Sequence, residues 1–506
     1  MENAEASMNE RRKKLCQGLF YLGIFGFLFL WFSRIHALVV FDADDWTYLA
    51  YVRATTPVWG EWNPAKVFPE VVYPFVSTLA AYLLTPLTRD YITAQTIMHA
   101  LVVSLAITGY LWCFSRLLRR SFPVSRLSAS LLTALFLLLH FLALRGQERG
   151  NQYLFYCVDL NCYYNYLLPE LLNASLVMCL TANPRLQTFL TRGAPAARGC
   201  FAVAVYFAIF SNLPASGILA AYAGSTVLVS LLGILRRKSP KGFWRENGFS
   251  LLILAAWLVS AVFELSGGRA ASAGSSTPLY YRLFLSAKYL AGVLLECSRL
   301  FQVSVCLILL GFCAGALAAR KKGAPVCPWL GTLLIAGAAM GVYLLALSAA
   351  VNPATIRRSE NLFGLFFLGS VCLMGMLAFL VSRYPKMLLV LPLLTVFLLS
   401  GVDTREDTFL ESNFAGLRPA LCAQVSRDLI RQMQAADEAG ASQVELRVPV
   451  YVSDPQTQDN WPHSLQLMSR IGDTLYAHGV IHRHIQVKPV ADPDMNARYQ
   501  IPLPGK

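Results

Sequence analysis

The sequence predicts an all-α polytopic membrane protein that ends in a small extracytoplasmic α/β appendage. Of the 506 residues, 56% are hydrophobic and only 14% are charged, whereas a soluble domain carries about 25% charged residues. The apolar residues also lie in many long runs, and a run of about 20 is the length that a helix needs to cross a bilayer. Runs this long exclude a transmembrane β-barrel, whose strands are about half that length.

About 11 apolar runs are predicted to cross the membrane. The first follows Arg11 and Arg12, and it is too long for the apolar core of a cleavable signal peptide, so we interpret it as a signal anchor. The predicted spans are roughly 17–40, 93–115, 127–143, 164–181, 199–213, 217–235, 248–265, 300–319, 327–349, 361–382 and 386–401.

The basic residues orient these spans, because cytoplasmic loops carry an excess of Lys and Arg. With a cytoplasmic N-terminus and residues 70–88 left uncrossed, the cytoplasmic segments carry 21 basic residues, and the outer loops between spans carry 11. Pro69 and Pro74 also suit a broken, surface-lying helix. We therefore expect 70–88 to be a juxtamembrane or re-entrant helix in the first outer loop. The formal charge of +14 is then a topology signal, and we predict no nucleic-acid partner.

The chain divides into two predicted domains. Residues 1–401 form the predicted transmembrane domain, expected in the cell (inner or cytoplasmic) membrane with a cytoplasmic N-terminus. Residues 402–506 contain no long apolar run and are expected outside, where they cover or brace the outer face. The predicted elements of this tail are a helix at 415–438, a strand at 443–452, a helix at 463–478 and a strand at 482–489.

Two clusters of metal-ligating side chains leave alternatives open. Cys157 and Cys162 share a polar outer loop, so they either form a disulfide or remain free thiols. His478, His482 and His484 either bind a metal or are solvent-facing histidines around a strand.

Three acidic residues, Asp42, Asp44 and Asp45, directly follow the first span in the stretch FDADDWTYL and therefore face outside. A carboxylate there can take the proton from a sugar hydroxyl as that hydroxyl attacks an anomeric carbon. A neighbouring acid can raise the pKa of the first, orient the acceptor or hold a divalent metal. The alternative interpretation is that Asp44 and Asp45 cap the following helix. We assign no metal ligands and no certain cofactor, with a divalent metal kept as an option.

Three further outer segments, 144–165, 266–299 and 350–361, are rich in polar residues. Guanidinium groups bind phosphate oxygens as planar forks, so arginines beside a span suit the phosphate of a lipid-linked donor. Cations at these places can instead reach ordinary lipid headgroups. The candidates for substrate binding from these segments and from the first outer loop are Trp46, Arg149, Arg282, Lys288, Arg357 and Arg358.

The layout resembles the GT-C superfamily of membrane glycosyltransferases. The features that carry the resemblance are the cytoplasmic N-terminus, one span, the Asp44–Asp45 pair, a long outer loop with the stretch FPEVVYPFVSTLAAYLL, and a basic turn after the next span, FSRLLRRSFPVSR. The order is similar to that of protein O-mannosyltransferases and lipid A aminoarabinose transferases. The stretch DLNCYYNYLLPELL and the NWP at 460–462 are similar to bacterial serotype-converting glucosyltransferases. Where those relatives carry a W-x-G-R element, this chain reads WGEWNPAKVFPE, with Lys66 and no arginine.

The resemblance implies an inverting transfer of a sugar from a polyprenyl-phosphate donor to a cell-envelope glycan or lipid acceptor on the outer face. Asp44 or Asp45 would be the general base, and arginines would stabilise the departing phosphate. By the same resemblance, Glu148 and Asp159 are the next carboxylates of interest, and Tyr164 and Asn165 would contact sugar. The implied partners are the lipid-linked donor, the envelope acceptor and membrane lipids.

Three other functions compete with this interpretation. A lipid or polysaccharide flippase or transporter would carry internal repeats and ionisable residues at mid-membrane depth. A lipid-linked glycan polymerase or ligase also works outside with arginine-rich loops, but it would not need the Asp44–Asp45 pair. A non-enzymatic export subunit would use the tail as its docking module.

Overall fold

The computed structural model describes residues 2–50, 64–143, 153–183, 194–237, 242–265, 277–297, 299–321, 329–390, 417–450 and 469–501, together with single residues at 186, 327, 392, 394 and 503. These residues are mostly helical. The helices are α1 (Glu2–Leu30), α2 (Ala43–Tyr48), α3 (Phe68–Thr88), α4 (Tyr91–Ser121), α5 (Arg126–Leu142), α6 (Leu168–Ala182), α7 (Pro195–Ile209), α8 (Leu213–Arg237), α9 (Phe243–Leu265), α10 (Leu279–Glu296), α11 (Arg299–Lys321), α12 (Leu330–Val351), α13 (Ser359–Arg383), α14 (Pro419–Glu438), α15 (Ile471–Ala477) and α16 (Pro493–Tyr499).

Within the described residues, eight helices are long and apolar enough to cross a membrane, judged by length and composition alone. This number indicates a multi-pass membrane protein and agrees with the predicted helical class. Seven of the eight coincide with predicted spans, and the eighth is α3, which the sequence analysis left uncrossed. The predicted spans 127–143, 164–181 and 199–213 correspond to the shorter helices α5, α6 and α7. Most of the predicted span 386–401 lies outside the described residues.

Helices α3 and α4 form a hairpin whose turn consists of two residues. Arg89 adopts the left-handed conformation (φ 56°) that ends α3. Asp90 then caps α4, because its Oδ2 accepts a hydrogen bond from the backbone N–H of Thr93 at 3.1 Å. The short turn forces the end of α3 to pack against the beginning of α4.

Helix α13 is the centre of the membrane-spanning part. In its most apolar window 89% of the residues are buried, and it packs against α8, α11 and α12. A helix that is apolar on all sides, as this one is, is stable only when other helices surround it. At Gly375 an added Cβ would lie 2.5 Å from the Trp329 ring, so the missing side chain permits this close contact.

The third outer segment is largely helical, although the sequence analysis treated the part with Arg282 and Lys288 as a loop. Both residues lie on α10. The polar, glycine-rich beginning of the segment is typical of a loop. The residues that follow it include apolar side chains at helical spacing, such as Leu279, Leu283 and Leu290, and these form the helix.

The C-terminal part contains a two-stranded parallel sheet. Strand β1 (Gln443–Pro449) pairs with β2 (Gln486–Asp492), with Gln443 opposite Gln486 and Pro449 opposite Asp492. Parallel strands need a crossover connection, and α15 lies in that connection. Gly472 of α15 packs so closely on the chain before β2 that an added Cβ would lie 2.5 Å from the Ile485 carbonyl oxygen. Strand β2 begins later than predicted, because the stretch that carries His482 and His484 forms a turn.

Candidate active site

The segment that follows the first span is fixed by a reciprocal capping arrangement at the start of α2. The Asp42 Oδ1 accepts a hydrogen bond from the Asp44 backbone N–H at 2.7 Å. In return, the Asp45 Oδ2 accepts from the backbone N–H groups of Phe41 and Asp42, each at 3.3 Å. Such a capping box satisfies amide groups that a helix end would otherwise leave unpaired. Helix capping was the alternative interpretation for Asp44 and Asp45, and the structure assigns that role to Asp42 and Asp45.

Asp45 also connects the first outer segment to the second. Its Oδ1 accepts a hydrogen bond from the Asn161 backbone N–H at 2.7 Å, and its side chain is completely buried. Burial, followed by the nearby charges of Asp159 and Asp42, raises the pKa of Asp45 well above its usual value. With three amide donors on its carboxylate and no exposed surface, Asp45 is a positioning residue.

Asp44 has a different environment. Its side chain is only half-buried, and within the described part of the chain no hydrogen bond or ion pair reaches its carboxylate. Neighbouring residues on a helix point about 100° apart, so Asp44 is directed away from buried Asp45. Of the two predicted catalytic aspartates, Asp44 is the one whose carboxylate is accessible to a substrate hydroxyl.

Trp46, predicted to bind substrate, is a core residue. Its ring is fully buried and stacks on Tyr91 with ring centroids 6.4 Å apart. Its carbonyl oxygen accepts a hydrogen bond from Thr474 Oγ1 at 2.6 Å. The indole therefore anchors α2 between α4 and the C-terminal part.

The second outer segment supplies Asp159, Tyr164 and Asn165, whereas Glu148 and Arg149 lie outside the described residues. Asp159 caps a short helix, Leu160–Cys162, by accepting from the Cys162 N–H at 2.6 Å. The Tyr164 hydroxyl is buried and lies 2.6 Å from His99 Nδ1. Asn165 is half-buried, and its carbonyl oxygen accepts from the Asn212 amide. These side chains hold the loop in place. The loop thiols Cys157 and Cys162 are both free.

The predicted cations separate into two groups. Arg358 pairs with Glu360, its Nε donating to Glu360 Oε1 at 2.6 Å, and its guanidinium lies 5.7 Å from the centre of the Tyr166 ring. The other three cations lie together on and beside α10. Arg357 stacks on Tyr289 at 4.4 Å, Arg282 Nη1 donates to the Ala350 carbonyl at 3.1 Å, and Lys288 is exposed.

The first, second and fourth outer segments meet. Asp45 bonds to the second segment at Asn161, and Ser359 Oγ of the fourth donates to the Tyr156 carbonyl of the second at 3.2 Å. The predicted carboxylate and Arg358 thus belong to adjoining segments. Among the described residues, however, no ion pair joins Asp44 or Asp45 to Arg282, Lys288, Arg357 or Arg358.

C-terminal residues also contact this region, which no local sequence pattern predicts. His478, interpreted above as a metal ligand or a solvent-facing histidine, is instead buried, and its Nδ1 lies 2.6 Å from the Tyr91 hydroxyl. Ser426 Oγ donates to the Val40 carbonyl at 2.6 Å, directly before the acidic segment. His482 and His484 are exposed and pair with Asp437 and Asp473, as the solvent-facing interpretation expected for those two. The sequence signal for His478 was its position at the end of an apolar helix.

No group of three or more His, Cys, Asp or Glu side chains in the described ranges is arranged to hold a metal ion. Comparison of the chain with protein-family models, with curated proteins and with solved structures finds no match.

Proposed function

We propose that the chain is an integral membrane glycosyltransferase that moves a sugar from a polyprenyl-phosphate donor to a cell-envelope glycan or lipid. The observation that carries the proposal is Asp44, an accessible carboxylate on a helix end that Asp42 and Asp45 hold in place. A general base needs a fixed position and a lone pair that no other group occupies. Asp44 meets both conditions within the described residues.

In the proposed reaction, the Asp44 carboxylate accepts the proton of an acceptor hydroxyl while the hydroxyl oxygen bonds to the anomeric carbon. The bond between that carbon and the phosphate oxygen breaks on the opposite face, so the configuration inverts. The electron pair leaves with the polyprenyl phosphate. Guanidinium groups stabilise the charge that develops on the leaving phosphate. We assign this role to Arg358, because its segment adjoins the second outer segment, which in turn bonds to Asp45.

The proposed topology places this site on the outer face, with the N-terminus cytoplasmic. Helix α3 then runs between two outer points. Before it, the Lys66 N–H donates to the Ser211 carbonyl at 2.9 Å, between the ends of α7 and α8. After it, Arg89 leads directly into the outer end of α4. A helix with both ends on one side does not cross, which favours a juxtamembrane α3.

The same topology makes residues 402–506 an extracytoplasmic domain. Its described residues contact the segment after the first span, through Ser426 to Val40 and Thr474 to Trp46, and the beginning of α4, through His478. Impermeant maleimide labelling in a cysteine-free background tests the arrangement. We expect Arg447→Cys to react in intact cells and Arg119→Cys to react only after the membrane is permeabilised. The reverse pattern would overturn the orientation.

The catalytic test is glycan mass analysis of cells that carry Asp44→Asn. We expect the transferred sugar to disappear while the variant inserts at wild-type levels. Asp494→Asn, at another exposed aspartate, is the matched control and should retain transfer. Unchanged glycan mass with Asp44→Asn would refute the assignment of the base.

A flippase or transporter is the second candidate, and one observation favours it. Glu170 at the start of α6 is 1% exposed, and its Oε2 has no hydrogen-bond partner among the described residues. Buried ionisable groups in membrane helices commonly mark transport paths. If Glu170→Gln blocked outward movement of a lipid-linked sugar while Asp44→Asn had no effect, the transporter interpretation would replace the enzyme.

A further inference from the structure

A cavity of 450 Å³ opens where the first span, the beginning of α4 and the beginning of α14 meet. Its lining includes the aliphatic side chains of Ile35, Ile92 and Ile97 and the guanidinium groups of Arg34, Arg418 and Arg427. None of the predicted substrate-binding residues lines it.

The cavity has a strong positive charge. Its lining contains three arginines and no acidic residue. Arg427 is held in place by Asp90 outside the cavity, with its Nη2 2.6 Å from Asp90 Oδ2. Arg34 and Arg418 are exposed, and within the described chain neither has an ion-pair partner. Two guanidinium groups are therefore available to an anion.

The cavity lies beside the ends of two apolar helices. Arg34 is at the end of the apolar stretch Lys14–Ile35, and Ile92 is at the beginning of the apolar helix Tyr91–Ser121. In the proposed topology both ends lie toward the outer headgroup region. Basic pockets between membrane helices are known sites for anionic lipid headgroups.

The hydroxyl groups of Thr93 and Ser33 also line the space. Both already donate within the protein, Thr93 Oγ1 to Asp90 Oδ2 and Ser33 Oγ to the Phe29 carbonyl, each at 2.5 Å, so they offer a ligand no further proton. The N–H groups of the two guanidinium groups suit the several oxygens of a phosphate.

We propose that this cavity binds the phosphate group of a lipid, with the guanidinium groups of Arg34 and Arg418 on the phosphate and the first part of an aliphatic chain against Ile35, Ile92 and Ile97. The site is separate from Asp44 and does not depend on the proposed sugar transfer. The lipid is either an anionic membrane phospholipid or a polyprenyl phosphate, which share this chemistry.

Binding to the purified full-length chain in neutral detergent tests the proposal. The probes are dioleoyl phosphatidic acid, a polyprenyl phosphate and inorganic phosphate, with thermophoresis as the readout. We expect a lipid phosphate to bind at least about tenfold more tightly than inorganic phosphate, because only the lipid also buries apolar surface. Equal affinity for inorganic phosphate would overturn the lipid assignment. Preference for polyprenyl phosphate would identify the isoprenoid as the ligand, and preference for phosphatidic acid would identify a membrane phospholipid.

Variants separate this cavity from others. Arg34→Gln combined with Arg418→Gln should weaken binding at least about tenfold, since a hydrogen bond to a charged group is lost at each position. Arg34→Lys combined with Arg418→Lys should retain part of the lipid affinity, because the positive charges remain. Arg431 lies on α14 and lines a neighbouring cavity. The Arg431→Gln variant should therefore bind the lipid as the wild type does. Wild-type affinity in the Gln double variant would overturn the proposal. Asp44→Asn should retain lipid binding. A failure of the proposed sugar transfer can therefore be distinguished from a failure of the proposed lipid site.

Discussion

The Asp45 carboxylate accepts a hydrogen bond from the Asn161 backbone N–H at 2.7 Å, although 116 residues separate the two in the chain. This single bond joins the segment after the first span to the loop before α6. Asp45 accepts this bond, although the sequence alone could not distinguish its role from that of Asp44. The two neighbouring aspartates therefore differ in environment, because Asp45 is buried and hydrogen-bonded whereas Asp44 is half-buried and open to the proposed chemical role.

Asp45→Asn should destabilise the protein, whereas Asp44→Asn should not. Replacing the buried Asp45 carboxylate leaves at least one amide donor without its acceptor, at a cost of about 1–3 kcal/mol. Thermal unfolding of each purified variant measures the difference. Equal midpoints for Asp45→Asn and the wild type would contradict the positional role.

The Asp44→Asn variant should lose transfer by a factor of about 10² to 10⁴, the usual contribution of a general base. Its unfolding midpoint should match that of the wild type, since its carboxylate has no partner in the described chain. Transfer assayed per folded molecule separates this loss from the stability loss in Asp45→Asn.

Asp90→Ala should weaken the attachment of α14 and the start of α4 together. Asp90 caps α4 and also accepts from Arg427. Burial raises its pKa, but the hydrogen bonds from Arg427 and Thr93 outweigh this, so the pKa of Asp90 is lowered overall. The contribution of Asp90 to the free energy of unfolding is complete above the pKa of about 3.9 that it has in the unfolded chain. This contribution is lost as pH falls below that value.

Losing the cap of α4 alone costs about 1 kcal/mol in unfolding free energy. The matched control is Glu445→Ala, because the pair of Glu445 with Lys488 is exposed on both sides and should contribute little. If the two variants unfold at the same temperature, Asp90 has no structural role.

His478 should make the stability of the C-terminal contact depend on pH. Burial lowers the pKa of His478 to about 4 from the model-compound value of 6.5. The unfolded chain therefore binds this proton first, and the stabilisation is complete above about pH 6.5 and is lost as pH falls toward 4. We expect His478→Gln to reduce the difference in unfolding temperature between pH 7 and pH 5. A variant with the wild-type pH dependence would contradict this.

Gly472→Ala should destabilise the C-terminal part, because the new Cβ would lie 2.5 Å from the backbone oxygen of Ile485. A backbone atom cannot turn aside as a flexible side chain can, so we expect a cost of about 1–3 kcal/mol. Gly109→Ala is the control, since nothing lies within 4 Å of the added Cβ there. Limited proteolysis of both variants should cleave only Gly472→Ala faster than the wild type.

Much of the helical layout could be predicted because apolar runs such as 361–382 are long and continuous. The tail helix and strand at 419–438 and 443–449 also followed from local periodicity. The contacts of the tail could not be predicted. Thr474 and Trp46 are 428 residues apart, and no local pattern specifies such a contact.

Within the candidate site, the position of the acidic segment could be predicted from the sequence, but not which aspartates cap α2. Asp42, Asp44 and Asp45 are the same residue type close together in the chain, and only the geometry of the capping box distinguishes them. Trp46 was predicted to bind substrate and Tyr164 to contact sugar, yet both are fully buried. Burial depends on packing partners such as Tyr91 and Tyr73, which are distant in sequence.

The bonds from Ser426 and Thr474 to Val40 and Trp46 have a consequence for biosynthesis. Chains are made at about 5–20 residues per second, so the segment around Asp44 waits on the order of a minute for the residues that cover it. During that interval the first span is already in the bilayer while its outer end is uncovered. A ribosome stalled before residue 426 would thus leave an inserted but unassembled protein, a state that a quality-control protease could recognise.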